Sequence, residues 1–281
     1  MLHTELNDTL NKLDNCIHCG MCLPACPTYN VTGSEAESPR GRLYLMRAFF
    51  ENKLDSPKQL SDHLDPCLGC LSCQTVCPSG VNYESLLMHS RQELVQHQPR
   101  WKRWIRRKLL QHVLPSRSFL EMSAAILAPL QATGLSGLLD WMSHLPGLKP
   151  LIFLPHIQPG EPLHAGPRVY GENKYGRVAL FLGCVMNAAY HQTQQATLDV
   201  LVRNGYQVVI PEQTCCGALA YHAGETDLFE QQTALNWFWM KDSSIDYIVI
   251  NAAGCGAAMK EATHFAPEQD IEIASSVTAK V

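Results

Sequence analysis

Cys16-Ile17-His18-Cys19-Gly20-Met21-Cys22-Leu23-Pro24-Ala25-Cys26-Pro27 is the stretch from which the rest of the chain can be read. It recurs as Cys67-Leu68-Gly69-Cys70-Leu71-Ser72-Cys73-Gln74-Thr75-Val76-Cys77-Pro78. Both runs read C-x2-C-x2-C-x3-C-P. Three thiolates spaced by two residues wrap one face of a cubane iron–sulfur cluster. The fourth, just before proline, points away and ligates the other cluster of a pair. Crossed ligation follows: Cys16, Cys19, Cys22 and Cys77 for one [4Fe–4S] cluster, and Cys67, Cys70, Cys73 and Cys26 for a second. Structural zinc takes four ligands in total, which gives no reason for a third and fourth cysteine at fixed offsets before proline, twice. A disulfide framework needs an oxidising compartment.

Nothing at the N-terminus supplies one. Met1-Leu2-His3-Thr4-Glu5-Leu6-Asn7-Asp8 has neither a basic n-region nor an apolar h-region. The expectation is a cytoplasmic protein whose cysteines serve as metal ligands. A chain of 281 residues, 46% hydrophobic and 17% charged, has room for two domains and a core. Its net charge of −4 argues against a nucleic-acid binder. The longest apolar stretch, Met122 to Met142, is interrupted by Pro129, Gln131, Gly134, Gly137 and Asp140. That is poor material for a spanning helix, which needs about 20 mostly apolar residues.

Outward from the cysteine runs, residues 1–15 read as a short polar helix. Gly41 to Asn52 reads as a helix with Leu43, Met46, Arg47 and Phe50 on one face, and Tyr83 to Val95 as another. Helices of this kind between the runs predict a helical two-cluster ferredoxin domain over 1–98. Arg40 and Arg42 flank Gly41, where they can donate to cluster sulfurs or to a partner's carboxylates, or stay in a solvated turn. Pro99 to Lys108 is strongly basic, and Trp101, Trp104, Ile105 and Leu109 share a helical face. Such a helix either packs its tryptophans inward or lies on an anionic membrane. A helical connector is expected over 99–175, with an irregular crossing near Pro155 to Pro167. Then Val178–Leu182, Tyr206–Ile210 and Asp246–Ile250 alternate with helical segments, as in a parallel α/β layer over 176–281. Cys184, Cys215, Cys216 and Cys255 all fall just past the carboxyl ends of those strands, the edge where open α/β sheets bind ligands. The fold class is therefore α+β.

With Cys184, Cys215-Cys216-Gly217 and Cys255 in place, the chain resembles the glycolate oxidase iron–sulfur subunit family. The double Cys-Cys-Gly element is similar to the cysteine-rich domain of heterodisulfide-reductase-like proteins. Ser38-Pro39-Arg40-Gly41-Arg42-Leu43-Tyr44 and Asn251-Ala252-Ala253-Gly254-Cys255-Gly256 carry the same likeness. The resemblance implies two [4Fe–4S] clusters and a further cluster bound by Cys184, Cys215, Cys216 and Cys255. It implies an electron-transfer subunit of an oxidoreductase, taking electrons from flavin-containing subunits to a quinone or other acceptor. The relatives in lactate-utilisation complexes, anaerobic glycerol-3-phosphate dehydrogenase and heterodisulfide reductase share this layout. No dinucleotide fingerprint or nucleophile–base motif appears, so no substrate-oxidising site is expected on this chain. Any membrane contact is expected to be peripheral, at the cytoplasmic face of the inner membrane. The family has two copies of the cysteine-rich unit and a further cysteine where this chain has Ala258. The expectation is one copy here, with an incomplete and weakly loaded site.

Overall fold

Ser38 shows how local chemistry builds the N-terminal helices. Its hydroxyl accepts from the Gly41 amide at 3.0 Å and Pro39 fills the first helical position, so α3 runs from Pro39 to Phe50. The helix starts two residues earlier than periodicity alone suggests because the cap and proline fix its first turn. Leu43, Met46 and Phe50 face inward, while Arg47 turns out to Asp14.

The structure is a computed structural model describing residues 2–133, 156–157, 160–164, 166–265 and 270–281. Much of the expected connector, 134–155, lies outside the described residues, as does part of the crossing near Pro155 to Pro167. The chain divides into two units, residues 1–104 with 220–226, and 105–219 with 227–281.

In the first unit, α1 (Leu2–Asp14), α2 (Pro27–Thr32), α3, α4 (Pro57–Leu64), the single turn α5 (Ser72–Thr75) and α6 (Tyr83–Gln96) surround a small core. Leu13, Met46, Leu60, Leu64, Leu86 and Leu87 are fully buried in it. Proline immediately after the fourth cysteine of the first run opens α2, and the left-handed Gly33 closes it. The forty-residue gap between the runs is thus filled by helices. The basic stretch is also helical, α7 (Arg100–Lys108), and buries none of its residues. Trp101 and Trp104 are 62% and 63% exposed, which removes the inward-packing alternative. One wide π-type turn, Leu109–Val113, leads to α8 (Arg117–Ala132).

The second unit holds a four-stranded sheet: β1 (Arg168–Tyr170), β2 (Arg177–Phe181), β3 (Gln207–Ile210) and β4 (Tyr247–Ile250), in the order β1-β3-β2-β4. β2 lies parallel to both neighbours, with Val178 opposite Val208 and Ala179 opposite Ile248. As a central strand covered on both faces it buries every residue from Val178 to Phe181, which explains its unbroken apolar run. The expected parallel layer is corrected at one edge. β1 pairs antiparallel with β3, making the sheet mixed. Three residues after a Pro-rich crossing carry too little periodicity to announce a strand. Its helices are α9 (Val185–Ala189), α10 (His191–Arg203), α12 (Thr226–Met240), α13 (Ala253–Glu261) and α14 (Ile271–Lys280), while most of the short α11 (Ala218–His222) belongs to the first unit. The helical segment after β2 breaks at Tyr190, whose backbone leaves the helical region (φ −123°, ψ 38°).

Candidate metal centres

The two cysteine loops share one backbone. In each, the residues on either side of the second cysteine are left-handed: His18 (φ 55°) and Gly20 (φ 83°) around Cys19, Gly69 (φ 63°) and Leu71 (φ 58°) around Cys70. Each loop has one glycine, on opposite sides of the cysteine, so each also holds one side chain where L-residues are strained by about 1–2 kcal/mol. Strain repeated at matched positions marks a geometry the loops are built to present.

Two recesses result. One, enclosing about 430 Å³ including its open mouth, is lined by Cys16, Cys19, Cys22 and Cys77. The other, about 300 Å³, is lined by Cys26, Cys67 and Cys70. Cys73 lines both, with Pro39 and Tyr83. Each recess thus gathers three thiols of one run and the fourth of the other. The thiols stand around hollows; among the described residues no three His, Cys, Asp or Glu side chains crowd into a single-ion site. An all-thiol donor set around a hollow fits an iron–sulfur cluster.

Arg40 lines the first recess and Arg42 the second. Arg40 is partly exposed, pairs with Glu35 at 2.6 Å and donates to the His18 carbonyl at 3.1 Å. Arg42 is 1% exposed. It donates to the His63 carbonyl at 2.7 Å, Thr28 Oγ1 at 3.0 Å and Glu37 Oε2 at 2.7 Å, and its Nη1 lies 3.9 Å from Cys26 Sγ. Gly41 between them has no room for a side chain, since a Cβ there would lie 1.9 Å from the Glu35 carbonyl oxygen. Tyr83, buried, has its hydroxyl 3.7 Å from Cys67 Sγ. Burial, then the neighbouring Cys67, holds that phenol well above its usual range, so it stays a donor. Arg91 donates to the Cys67 carbonyl at 2.8 Å. Burial, reinforced by the neighbouring thiols, pushes Cys73 up to about 12, and burial raises Cys22. Residues 220–226 complete the first unit. The His222 ring stands 3.1 Å from where a Cβ on Gly69 would sit, and Gly224 (φ +75°) lies against the Arg91 backbone. Tyr83, Arg91 and His222 carry no motif, and the sequence reading missed them.

In the second unit the remaining four cysteines converge. Cys184 Sγ lies 3.9 Å from Cys215 Sγ. Cys216 stands close enough to Cys215 and Cys255 for both to act on its thiol. The contact with Cys215, then burial, drives the Cys184 thiol far up. Its bond to Cys184 pulls Cys215 down, but Cys216 and burial outweigh it and leave Cys215 at about 11. Cys216 is likewise lowered by Cys215 and raised more by Cys255 and burial, to about 12. Side-chain amides fix the strand-end loops. Gln213 Oε1 accepts from the Leu182 amide at 2.8 Å, and Asn236 Nδ2 donates to the Cys215 carbonyl at 3.0 Å. Gln194 Nε2 donates to the Leu182 carbonyl at 2.6 Å, and Gln194 Oε1 accepts from Asn251 Nδ2 at 2.8 Å. These amides have no sequence signature either. A recess beside Cys184 and Cys215 is bordered by the Arg117–Glu121 ion pair.

Residues 12–81 match the 4Fe-4S dicluster domain, and residues 178–260 match the cysteine-rich domain family. The chain is 34% identical over 267 residues to the probable glycolate oxidase iron–sulfur subunit of Bacillus subtilis (strain 168), covering 90% of this chain and 60% of that protein. It is 34% identical over 254 residues to the glycolate oxidase iron–sulfur subunit of Escherichia coli (strain K12), covering 88% and 57%. A lactate utilization protein A of Geobacillus kaustophilus is 35% identical over 89 residues, 31% of this chain and 36% of that one. The chain spans about three fifths of the length of the first two relatives. No solved structure matches it. Over about nine tenths of its length, the chain is a homologue of glycolate oxidase iron–sulfur subunits, with a 4Fe-4S dicluster domain followed by a cysteine-rich domain.

Proposed function

We propose that the chain is the electron-transfer subunit of a flavin-dependent 2-hydroxy-acid oxidase, with glycolate as its acid and a quinone or similar carrier as final acceptor. Cys16, Cys19, Cys22 and Cys77 hold one [4Fe–4S] cluster, and Cys26, Cys67, Cys70 and Cys73 hold the other. What supports this most is the lining of the two recesses, each drawing its fourth thiol from the opposite run. Bound clusters of this kind accept and release single electrons. Oxidising a hydroxy acid removes two electrons, so a flavin on a partner subunit must take them first. Cys184, Cys215, Cys216 and Cys255 form a third thiol centre suited to a further cluster. Lactate is the second candidate acid, because the lactate utilization match covers part of the chain.

Among the described residues no helix is long and apolar enough to cross a membrane. The exposed Trp101, Trp104 and Ile105 among the basic residues of α7 suit peripheral contact with an anionic membrane at the cytoplasmic face, where a quinone is reached.

The test reconstitutes the chain anaerobically and mixes it with a glycolate-oxidising flavin subunit and either glycolate or lactate. Glycolate should bleach the cluster absorbance within turnovers of the flavin. Bleaching by dithionite but by neither acid would overturn the assignment.

A further inference from the structure

The two recesses differ in what surrounds the sulfurs. Around Cys26 and Cys67 stand buried donors and cations. Arg42 Nη1 is 3.9 Å from Cys26 Sγ, and the Tyr83 hydroxyl is 3.7 Å from Cys67 Sγ. A second guanidinium, Arg91, is anchored on the carbonyls of Leu64 and Cys67 at 3.0 and 2.8 Å. Around the other set, among the described residues, what favours charge on Cys22 is main chain, at Arg40 and at Cys22 itself, and no side chain. The nearest cation there, Arg40, is partly exposed and already paired with Glu35.

Taking up one electron adds one negative charge to a cluster and forms or breaks no bond. Hydrogen bonds and positive charge at the sulfurs stabilise that added charge, more so where water is excluded. The Glu37 carboxylate offsets part of the Arg42 charge, but it is held on Nη2 while the sulfur faces Nη1. Arg42 cannot lose its proton at any physiological pH.

We propose that the cluster of Cys67, Cys70, Cys73 and Cys26 has the higher reduction potential of the pair, set by Arg42, Tyr83 and Arg91. An electron delivered by a reduced flavin to either cluster then comes to rest on this one. The assignment of Cys26 rests on the crossed ligation proposed above; that of Cys67 does not, since it belongs to this cluster under crossed or uncrossed ligation.

The test is a dithionite titration of the reconstituted 281-residue chain, read by EPR. Cys67→Ser identifies the signal in question. Cys26→Ser and Cys77→Ser separately report whether ligation is crossed, so the two ideas can fail independently. In the unsubstituted chain the Cys67-marked cluster should reduce first. Tyr83→Phe, which keeps shape and removes one donor, should weaken its reduction about threefold to tenfold, tenfold being about 59 mV for one electron. Arg42→Lys should weaken it further, leaving the other cluster unmoved, while Arg40→Gln should leave the order intact. If Arg42→Lys does not fold, Tyr83→Phe carries the test. Reduction of the other cluster first, or a Tyr83→Phe shift that is absent or equal in both clusters, would overturn the proposal.

Discussion

Arg40 and Arg42 show what a single residue step decides. On a helix, residues two apart point about 200° from each other, so the pair flanking Gly41 serves different recesses, one at the surface and one in the interior. That much could be argued from sequence. Which arginine is buried could not, because it depends on Thr28, Glu37 and His63, brought in from other elements. Tyr83 and Arg91 were invisible for the same reason, lying 16 and 24 residues from the cysteine they support. Gly41 makes the arrangement possible. Replacing it with alanine drives a methyl into the Glu35 carbonyl, so the 35–41 turn must move. Gly41→Ala should cost about 2 kcal/mol or more, measured as a lower urea midpoint of the metal-free chain. Cluster loss should follow, since both arginines leave their places. An unchanged midpoint would mean the turn adapts freely.

At the scale of elements, α7 offers the clearest experiment. Its six basic residues should each contribute on the order of 1 kcal/mol near an anionic surface. Binding to vesicles containing anionic lipid should therefore fall steeply with salt. Glutamate at Lys102 and Arg103 should abolish it while leaving the clusters' absorbance intact. Binding that persists in high salt would point to another anchor. The last helix, α14, offers a pH test. Asp270 just before it accepts from Trp237 Nε1 at 2.7 Å and Lys241 Nζ at 2.9 Å. The Lys241 bond, then that of Trp237, holds its carboxyl below the usual range. The stabilisation is present above the ordinary carboxylate pKa and is lost as pH falls through the depressed native value. Melting followed by tryptophan fluorescence should show this acid limb, and Asp270→Asn should flatten it. Among elements, the three parallel strands were legible as apolar runs between helices. β1 was not, because three residues pairing at an edge leave no period to detect.

For the whole molecule, the eight N-terminal thiols predict about eight iron per chain after anaerobic reconstitution. Serine at Cys184, Cys215, Cys216 and Cys255 should remove only iron in excess of that number. If it lowered the first eight as well, the two groups of cysteines would not be independent centres. All twelve cysteines were legible from spacing and strand position. What spacing could not give is the amide framework of Gln194, Gln213, Asn236 and Asn251, which ties the strand-end loops together. Asn236→Leu should leave the buried Cys215 carbonyl without its donor, a cost of about 1–3 kcal/mol.

The membership of residues 220–226 in the first unit has a consequence in time. A ribosome finishing residue 104 has made nearly all of that unit except the segment bearing His222. At about 5–20 residues per second, residues 105–219 take roughly 6–23 s to follow. Throughout that interval the Gly69 loop lacks its cover. Iron and sulfide delivered to a nascent chain meet the loop without the His222 segment, and delivered to the released protein they meet it with that segment beside Gly69. Ribosome-bound chains halted before residue 220 should accordingly take up iron faster than full-length chains.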